Sequence, residues 1–160
     1  MENKRPTALT VYIILSWIWI TVLSYNVLMN YVAGPMTAEQ IRENRIEMLK
    51  SLEKQPQQDR EVGMTVVNEM ELFFETYSAN HAAAHFASFL HILVGLAATI
   101  LMFRMRKVGF HLYILYSLIP ITTASYFYGA STIGVGLMFC SGVIGLLFII
   151  LYGFQLKHLK

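Results

Sequence analysis

Charged side chains are scarce in this chain of 160 residues. Asp, Glu, Lys and Arg make up 14% of it, whereas an ordinary soluble domain holds about 25%. Hydrophobic residues reach 56%, and this imbalance is typical of integral membrane proteins. The formal net charge is only +2, and the basic residues form no clustered patch, so we do not expect a nucleic-acid partner.

Cysteine and catalytic motifs are equally sparse. The one cysteine, Cys140, lies in an apolar segment and has no second cysteine with which to form an intrachain disulfide. The sequence has no CxxC pair, no zinc spacing of His and Cys and no HExxH motif, which argues against disulfide-exchange and zinc-finger roles. A Ser-His-Asp order, a glycine-rich phosphate loop and an intramembrane carboxylate pair are also missing. We therefore do not expect an enzyme.

The chain does contain four long apolar segments. At about 1.5 Å per residue, each is long enough to cross a hydrocarbon core of about 30 Å as a helix. The first is too long for the apolar core of a signal peptide, so we interpret it as a retained anchor. The sequence predicts one all-α domain, an integral membrane four-helix bundle. The predicted spans are residues 8–31, 81–103, 108–128 and 131–154.

Positive charges near the ends of these spans predict their orientation. Cytoplasmic loops of membrane proteins carry an excess of Lys and Arg. By this rule both termini and the short 104–107 turn face the cytoplasm, and residues 32–80 lie outside it. The charges that support this orientation are Lys4, Arg5, Arg104, Arg106, Lys107, Lys157 and Lys160.

Residues 32–80 are predicted to form a helical extracytoplasmic insertion. Thr37 and Gln40 have the spacing of a capping box, which marks the start of a helix. The stretch 55–58 breaks that helix, and a second helix from about residue 59 is expected to continue into the second span. The insertion is interpreted either as an amphipathic hairpin that caps the bundle or as a docking surface for a partner protein.

The second span is the predicted centre of the bundle. Wound at about 100° per residue, it gathers small and polar side chains on one face and large apolar ones on the other. Small residues allow helix backbones to approach closely within a membrane. The inward face comprises His81, Ala84, His85, Ser88, His91, Gly95, Ala98 and Thr99, and the residues predicted to pack helices together are Gly95, Gly134, Ser141 and Gly145.

Polar side chains in the outer halves of the spans predict a ligand pocket beneath the insertion. Ionisable groups at membrane depth are costly to bury, so they are candidates for a functional site. A stripe of Tyr113, Tyr116, Ser117, Pro120 and Thr123 runs along the third span, where Pro120 should kink the helix. The predicted pocket residues are Asn26, Asn30, His81, His85, Ser88, His91, Thr123 and Tyr126.

Three histidines raise the question of a cofactor. His81 and His85 are four residues apart, a spacing that a metal ion can bridge, while hydrogen-bonded histidines at the membrane boundary are the alternative. His91 lies deeper and has small neighbours, as an axial ligand of haem requires. Its candidate partner, His111, begins the third span on the opposite side. A protein without a cofactor is the favoured interpretation, with haem or a metal as the alternatives.

Three motifs resemble a family of small bacterial four-span membrane proteins of unknown function. They are KRPTALT at 4–10, RKVGFHLY at 106–113 and LYGFQLK at 151–157. The resemblance implies four helices in the bacterial inner membrane, and it implies no activity.

The leading hypothesis for function is a non-enzymatic accessory or assembly subunit. It would present residues 32–80 and one face of the bundle to a membrane-protein partner or to a second copy, in contact with membrane lipids. The first alternative is a protein that binds haem, a metal or a quinone through the inward-facing histidines of the second span. A carrier of lipids or small solutes is a further possibility, and it would require a water-accessible path.

Overall fold

The computed structural model describes residues 6–54, 56–127 and 131–159, and it is built from helices. No strand occurs in these ranges, which confirms the all-α prediction. A short 3-10 helix, Leu156–His158, follows the last α-helix. The α-helices are α1 (Thr7–Ala33), α2 (Ala38–Leu52), α3 (Gln57–Ala79), α4 (His81–Phe103), α5 (Lys107–Phe127) and α6 (Thr132–Gly153).

Four of these helices, α1, α4, α5 and α6, are long and apolar enough to cross a membrane. This confirms the prediction of four helices that are long and apolar enough to cross a membrane. Their outward side chains are large and apolar; Leu93, Phe139 and Leu146 are 63%, 72% and 58% exposed, respectively. Lipid tails accommodate such a surface, whereas water would not. Lys4, Arg5, Tyr128 and Lys160 lie outside the described residues.

The four long helices pack in the order α1, α4, α5, α6. Helix α4 packs against both α1 and α5, and α5 packs against α6, but α1 and α6 touch only briefly. Their contact lies where α1 begins and α6 ends, because Ser16 Oγ and Tyr152 Oη are 2.9 Å apart and the Tyr12 ring meets the Tyr152 ring edge-on. Beyond this contact α1 and α6 separate.

The tightest packing is found near this same end of the bundle. Leu9, Ile13, Met102 and Tyr152 have between 0% and 1% of their surface exposed. Trp17 of α1 adds a hydrogen bond from its Nε1 to Thr99 Oγ1 of α4, at 3.0 Å. These contacts join α1 to α4 and α6 at this end, while at the other end of α1 the Tyr31 ring packs against His85 of α4.

The inward face predicted for the second span corresponds closely to the buried residues of α4. The buried positions include Ala84, His85, His91, Gly95, Ala98 and Thr99, together with Ile92 and Met102. Phe86 and Leu90 lie on the exposed face, as expected. The hydrophobic period of 3.6 residues therefore identified the packing face of this helix correctly.

Helices α2 and α3 form a hairpin that packs on itself. The predicted capping box is present, since the Gln40 N–H donates to Thr37 Oγ1 at 3.2 Å and the Thr37 N–H donates to Gln40 Oε1 at 2.8 Å. An ion pair joins Arg45 of α2 to Glu71 of α3. Within residues 32–80 the structure thus has two helices, 38–52 and 57–79, which pack on each other.

Helix α3 does not run on into α4 without a break. Asn80 separates the two helices: its N–H bonds to carbonyls of α3, and its own carbonyl accepts the Ala84 N–H of α4 at 2.9 Å. Before that break, the Glu69 carboxylate accepts the N–H of Thr132 at 2.7 Å. A carboxylate at a helix N-terminus is favourable, so this bond holds α3 over the start of α6.

Candidate functional site

A cleft of about 640 Å³ lies between α1, α4, α5 and α6. It begins beyond the contact of Ser16 with Tyr152, where α1 and α6 part. Along its rim Ile18 and Trp19 of α1 and Ile144 of α6 are 57%, 54% and 46% exposed. Because these residues are about half exposed, the cleft opens to the outside of the bundle along α1 and α6.

The wall of the cleft carries no formal charge. No Asp, Glu, Lys or Arg occurs among the described residues that line it. Most of the wall consists of aliphatic and aromatic side chains, and Trp19, Tyr113, Phe127 and Phe148 are among them. Such a surface favours an apolar occupant and provides no counter-ion for a charged one.

His91 is the most distinctive polar group of this wall. It is 8% exposed, and its Nε2 atom is buried without a hydrogen-bond partner among the described residues. Its imidazole stacks on the ring of Tyr116, with centroids 4.2 Å apart and planes inclined by 23°. A buried polar group that lacks a partner is uncommon and costly, so His91 marks the position where a ligand would be stabilised.

Glycine 95 explains why this stack can form. A Cβ atom at Gly95 would lie 2.6 Å from Cε2 of Tyr116, a distance that real Cβ atoms do not show. The absence of a side chain there lets the tyrosine ring of α5 lie directly against α4. His91 is one turn away on the same face of α4, so the ring that Gly95 admits is the ring on which His91 stacks.

Three of the hydroxyl groups that line the cleft bond within their own helices. Ser88 Oγ donates to the Ala84 carbonyl at 2.9 Å, Ser117 Oγ donates to the Tyr113 carbonyl at 3.0 Å, and Thr123 Oγ1 donates to the Ile119 carbonyl. Such back-bonding is a common way for hydroxyls to be satisfied in apolar helices. Ser16 Oγ instead bonds to Tyr152 Oη of α6, and the phenols of Tyr113 and Tyr116 also line the cleft, so His91 is one of several polar groups in its wall.

A second cluster lies apart from the cleft, where α3 meets α4. The rings of His81 and His85 have centroids 4.3 Å apart, and Tyr77 Oη lies 3.0 Å from His85 Nε2. The Tyr31 ring packs edge-on against His85 at 5.6 Å. Burial raises the pKa of Tyr77 above its usual value, so its phenol stays protonated and keeps this hydrogen bond near neutral pH.

The cluster is a poor match to a metal centre. His81 Nε2 and His85 Nδ1 are both buried without hydrogen-bond partners, but two imidazoles provide only half of a tetrahedral set of ligands. Within the described ranges no group of three or more His, Cys, Asp or Glu side chains is placed to hold a metal ion.

The structure divides the predicted pocket into two sites and leaves part of it out. Ser88, His91 and Thr123 line the cleft, while His81 and His85 belong to the separate cluster. None of the described residues of 32–80 lines the cleft, so the expected roof is not formed by the insertion. Ser141 and Gly145, which were predicted to pack helices together, also form part of the cleft wall.

Asn26, Asn30 and Tyr126, which were also predicted for the pocket, lie outside both sites. All three are exposed, Tyr126 at 78%. Asn26 Nδ2 donates to the Val22 carbonyl of its own helix at 3.0 Å, so its amide does not require an inward position. A polar residue within an apolar helix can be satisfied locally, and its polarity therefore does not fix the face on which it lies.

The remaining packing predictions have distinct local reasons. Gly145 approaches α5 closely, because a Cβ atom there would lie 3.0 Å from Ser117 Cβ. Gly134 is buried in the first turn of α6, where its N–H donates to Ser131 Oγ at 3.0 Å. Gly134 therefore takes part in a helix cap, in addition to being a small residue in a span.

The polar and aromatic stripe on the third span is predicted from the sequence, but the sequence does not assign most of it to a ligand pocket. Tyr113, Tyr116, Ser117 and Pro120 all line the cleft. Their spacing on one helical face, interrupted by a proline, was the signal that could have identified them. The contribution of α1 and α6 had no comparable signal, because it depends on how these two helices diverge.

No protein-family model matches this chain, and no curated protein or solved structure matches it significantly. The resemblance of the three short motifs to small bacterial four-span proteins therefore stays a prediction. Function has to be inferred from the chemistry of the cleft.

Proposed function

We propose that this protein binds an uncharged, lipid-soluble small molecule within the membrane, in the cleft between α1, α4, α5 and α6. The observation that carries the proposal is the uncharged cleft of about 640 Å³ with the unpartnered Nε2 of His91 at its wall. Sites for small molecules have volumes of about 300 to 1,000 Å³, are mostly apolar and hold a few polar groups that orient the ligand. The cleft has each of these properties.

The lateral opening supports a ligand that arrives from the bilayer. The gap between α1 and α6 is bordered by exposed apolar side chains such as Ile18 and Ile144. A molecule dissolved in lipid would pass this border without leaving an apolar medium. A charged headgroup would have to be desolvated with no opposite charge to receive it, which is strongly unfavourable.

A matched pair of alanines on α4 tests this proposal. Ala87 lines the cleft, whereas Ala83, one turn before it on nearly the same side of α4, is exposed and does not line the cleft. Ala87→Phe should fill the cleft and Ala83→Phe should leave it open. The protein would be extracted in native nanodiscs, and its bound organic molecules would be identified by mass spectrometry.

The expected result is a neutral molecule retained in about equal amounts by the wild type and Ala83→Phe and lost from Ala87→Phe. Retention of the same molecules by both variants would show that they are surrounding lipid and would contradict the proposal. The absence of any enriched molecule from the wild type would contradict it as well.

The proposed orientation places both termini on the cytoplasmic side of a bacterial inner membrane and the α2–α3 hairpin outside. It is supported by Arg104, Arg106 and Lys107 around the α4–α5 turn. A cysteine introduced by Gln57→Cys, in a Cys140→Ala background, should react with a membrane-impermeant maleimide added to intact cells. Reaction only after lysis would reverse the orientation.

The hairpin favours a second candidate function, that of an accessory or assembly subunit. Val62, Val66 and Leu72 of α3 are 68%, 49% and 50% exposed, respectively. An apolar surface outside the four spans is a possible contact for another protein. Purification in mild detergent should then yield a stoichiometric membrane partner that is lost from a Val62→Glu, Val66→Glu variant, and an isolated wild-type protein would count against this candidate.

A further inference from the structure

Helices α4 and α6 begin at the same end of the bundle. Neighbouring residues of α1 contact the last turns of both helices, since Trp17 bonds to Thr99 of α4 and Ser16 lies beside Tyr152 of α6. The two helices also have nearly equal lengths, 23 and 22 residues. Because they end together, they also begin together, and we call the end at which they begin the hairpin end of the bundle.

Helix α3 lies across this hairpin end. Glu69 precedes His81, the first residue of α4, by 81 − 69 = 12 residues, which is about 18 Å along a straight helix. If α3 continued the axis of α4, Glu69 would lie that far beyond the bundle. Its carboxylate instead accepts the N–H of Thr132, the first residue of α6, at 2.7 Å. Since a glutamate side chain is much shorter than 18 Å, the chain bends at Asn80 and α3 runs over the ends of the spans.

The side of α3 that faces the spans is marked by two contacts. Glu69 bonds to the start of α6, and Tyr77 Oη bonds to a histidine in the first turns of α4. At about 100° per residue, Glu69 and Tyr77 are separated by a sector of about 80° around α3, and Val66 and Val62 lie about 60° and 20° into that sector. The two valines therefore lie on the side of α3 that contacts the spans.

Val62 and Val66 lie on the part of α3 that continues past its bond to α6. They are 68% and 49% exposed, and α2 packs on another side of α3, where Val67 is buried and a Cβ atom at Gly63 would lie 2.3 Å from Leu52 Cδ2. Only 6% of the most apolar stretch of α6 is buried, so lipid covers most of this helix. The surface that the two valines face is therefore the lipid beside α6.

We propose that the hairpin rests on the membrane beside α6, with Val62 and Val66 in the headgroup layer of the leaflet at the hairpin end. Helix α4 is about 34 Å long, slightly longer than a hydrocarbon core of about 30 Å, so the spans end in that layer. Helices with one apolar side and one charged side bind there. Arg60 and Glu71 lie on the opposite side of α3 from the valines. Asp59, one turn nearer to the hairpin tip on the valine side, limits the contact to a shallow depth.

This contact requires neither a ligand in the cleft nor a partner protein. It covers the same valines that an accessory subunit would offer to another protein, but with lipid that already surrounds α6. A protein partner would have to enter between α3 and that lipid. The proposal therefore goes beyond the proposed function of the cleft, and its test is independent of the Ala87→Phe experiment.

The test places a fluorescent probe on opposite sides of α3. Val66→Cys and Met64→Cys, each in a Cys140→Ala background, would be labelled with a nitrobenzoxadiazole maleimide in nanodiscs of phosphatidylethanolamine and phosphatidylglycerol. Met64 is 42% exposed and lies about 160° around the helix from Val66, so it is the matched control. We expect the probe at position 66 to emit at shorter wavelength and to be quenched by lipids with a nitroxide headgroup. The probe at position 64 should instead be quenched by iodide in the water.

Two outcomes would overturn the proposal. Equal quenching of both probes by iodide would show that the hairpin does not touch the membrane. A probe at position 66 that is shielded from iodide and from the nitroxide lipids alike would show that protein covers this surface, as in the accessory-subunit candidate. Val62→Cys repeats the measurement at a second exposed position, so the result does not depend on one variant.

A second pair of variants tests whether Glu69 sets the level of α3. Glu69→Ala removes the bond to Thr132 and should reduce the quenching of the position-66 probe by nitroxide lipids. Glu75→Ala, at an exposed position of the same helix, should leave that quenching unchanged. Equal quenching in both variants would contradict the geometry on which the proposal depends.

Discussion

Among the glycines at helix contacts, Gly109 should be the one whose replacement by alanine destabilises the protein most. A Cβ atom at Gly109 would lie 2.6 Å from the Met102 nitrogen and 2.7 Å from the Ala98 oxygen, both of which are backbone atoms of α4. Ordinary contact begins at 3.4 Å, so α4 and α5 would have to separate by 3.4 − 2.6 = 0.8 Å. Backbone atoms cannot rotate away as the end of a flexible side chain can.

The size of the effect follows from two opposing contributions. Inserting a methyl group into a well-packed contact costs about 1 to 3 kcal/mol, and the upper end applies here because the obstacle is backbone. Alanine stabilises a helix by up to about 1 kcal/mol relative to glycine. The free energy of unfolding should therefore fall by about 2 kcal/mol.

Gly136→Ala is the matched control, because a Cβ atom at Gly136 meets nothing within 4 Å. This variant should gain up to about 1 kcal/mol from helix propensity alone. The assay is unfolding by SDS in mixed micelles, followed by far-ultraviolet circular dichroism. Equal midpoints for Gly109→Ala and Gly136→Ala would refute the reasoning, since they would show that α4 and α5 are not in direct backbone contact.

Three further substitutions have specific outcomes. Burial raises the pKa of Tyr77 above 10.0, so above about pH 10 the folded protein keeps a proton that the unfolded chain releases, and its stability should fall as the pH rises. In thermal unfolding, Tyr77→Phe should therefore lose less stability at alkaline pH than the wild type does. Tyr25→Phe, at an exposed position, should lose as much as the wild type. Thr37→Ala should destabilise the start of α2 by about 1 kcal/mol, and this loss should be visible as faster amide hydrogen exchange in residues 38–52. If Thr65→Ala accelerated exchange there equally, the effect would not be due to capping. Trp17→Phe removes the hydrogen bond to Thr99 and should lower the free energy of unfolding by about 1 kcal/mol in the SDS assay. An unchanged midpoint would show that this hydrogen bond makes no net contribution to stability.

The four spans and the inward face of α4 were predictable because they depend on local sequence. A run of apolar residues sets the length of a span, and the helical period sorts Ala84, His91 and Gly95 onto one face. The capping box at Thr37 was predictable for the same reason, since its two hydrogen bonds join residues three apart.

The cleft was not predictable, because it depends on which helices stay apart. Nothing in α1 or α6 alone indicates that their contact is confined to Ser16 and Tyr152 and their close neighbours. The face of α1 on which Asn26 lies could not be predicted from its polarity, because its amide bonds to a carbonyl of its own helix. The break at Asn80 was also missed, since α3 and α4 are separated by a single residue.

The position of the tight packing has a consequence for the rate at which a ligand could exchange. Leu9, Met102 and Tyr152 are fully buried at the end where α1 begins and α6 ends, whereas the cleft lies beyond them. The cleft therefore lies outside the part of the bundle that is packed most tightly. Exchange of a guest molecule then requires only local motion of the cleft wall, which takes microseconds to milliseconds, and not the far slower unfolding of the bundle.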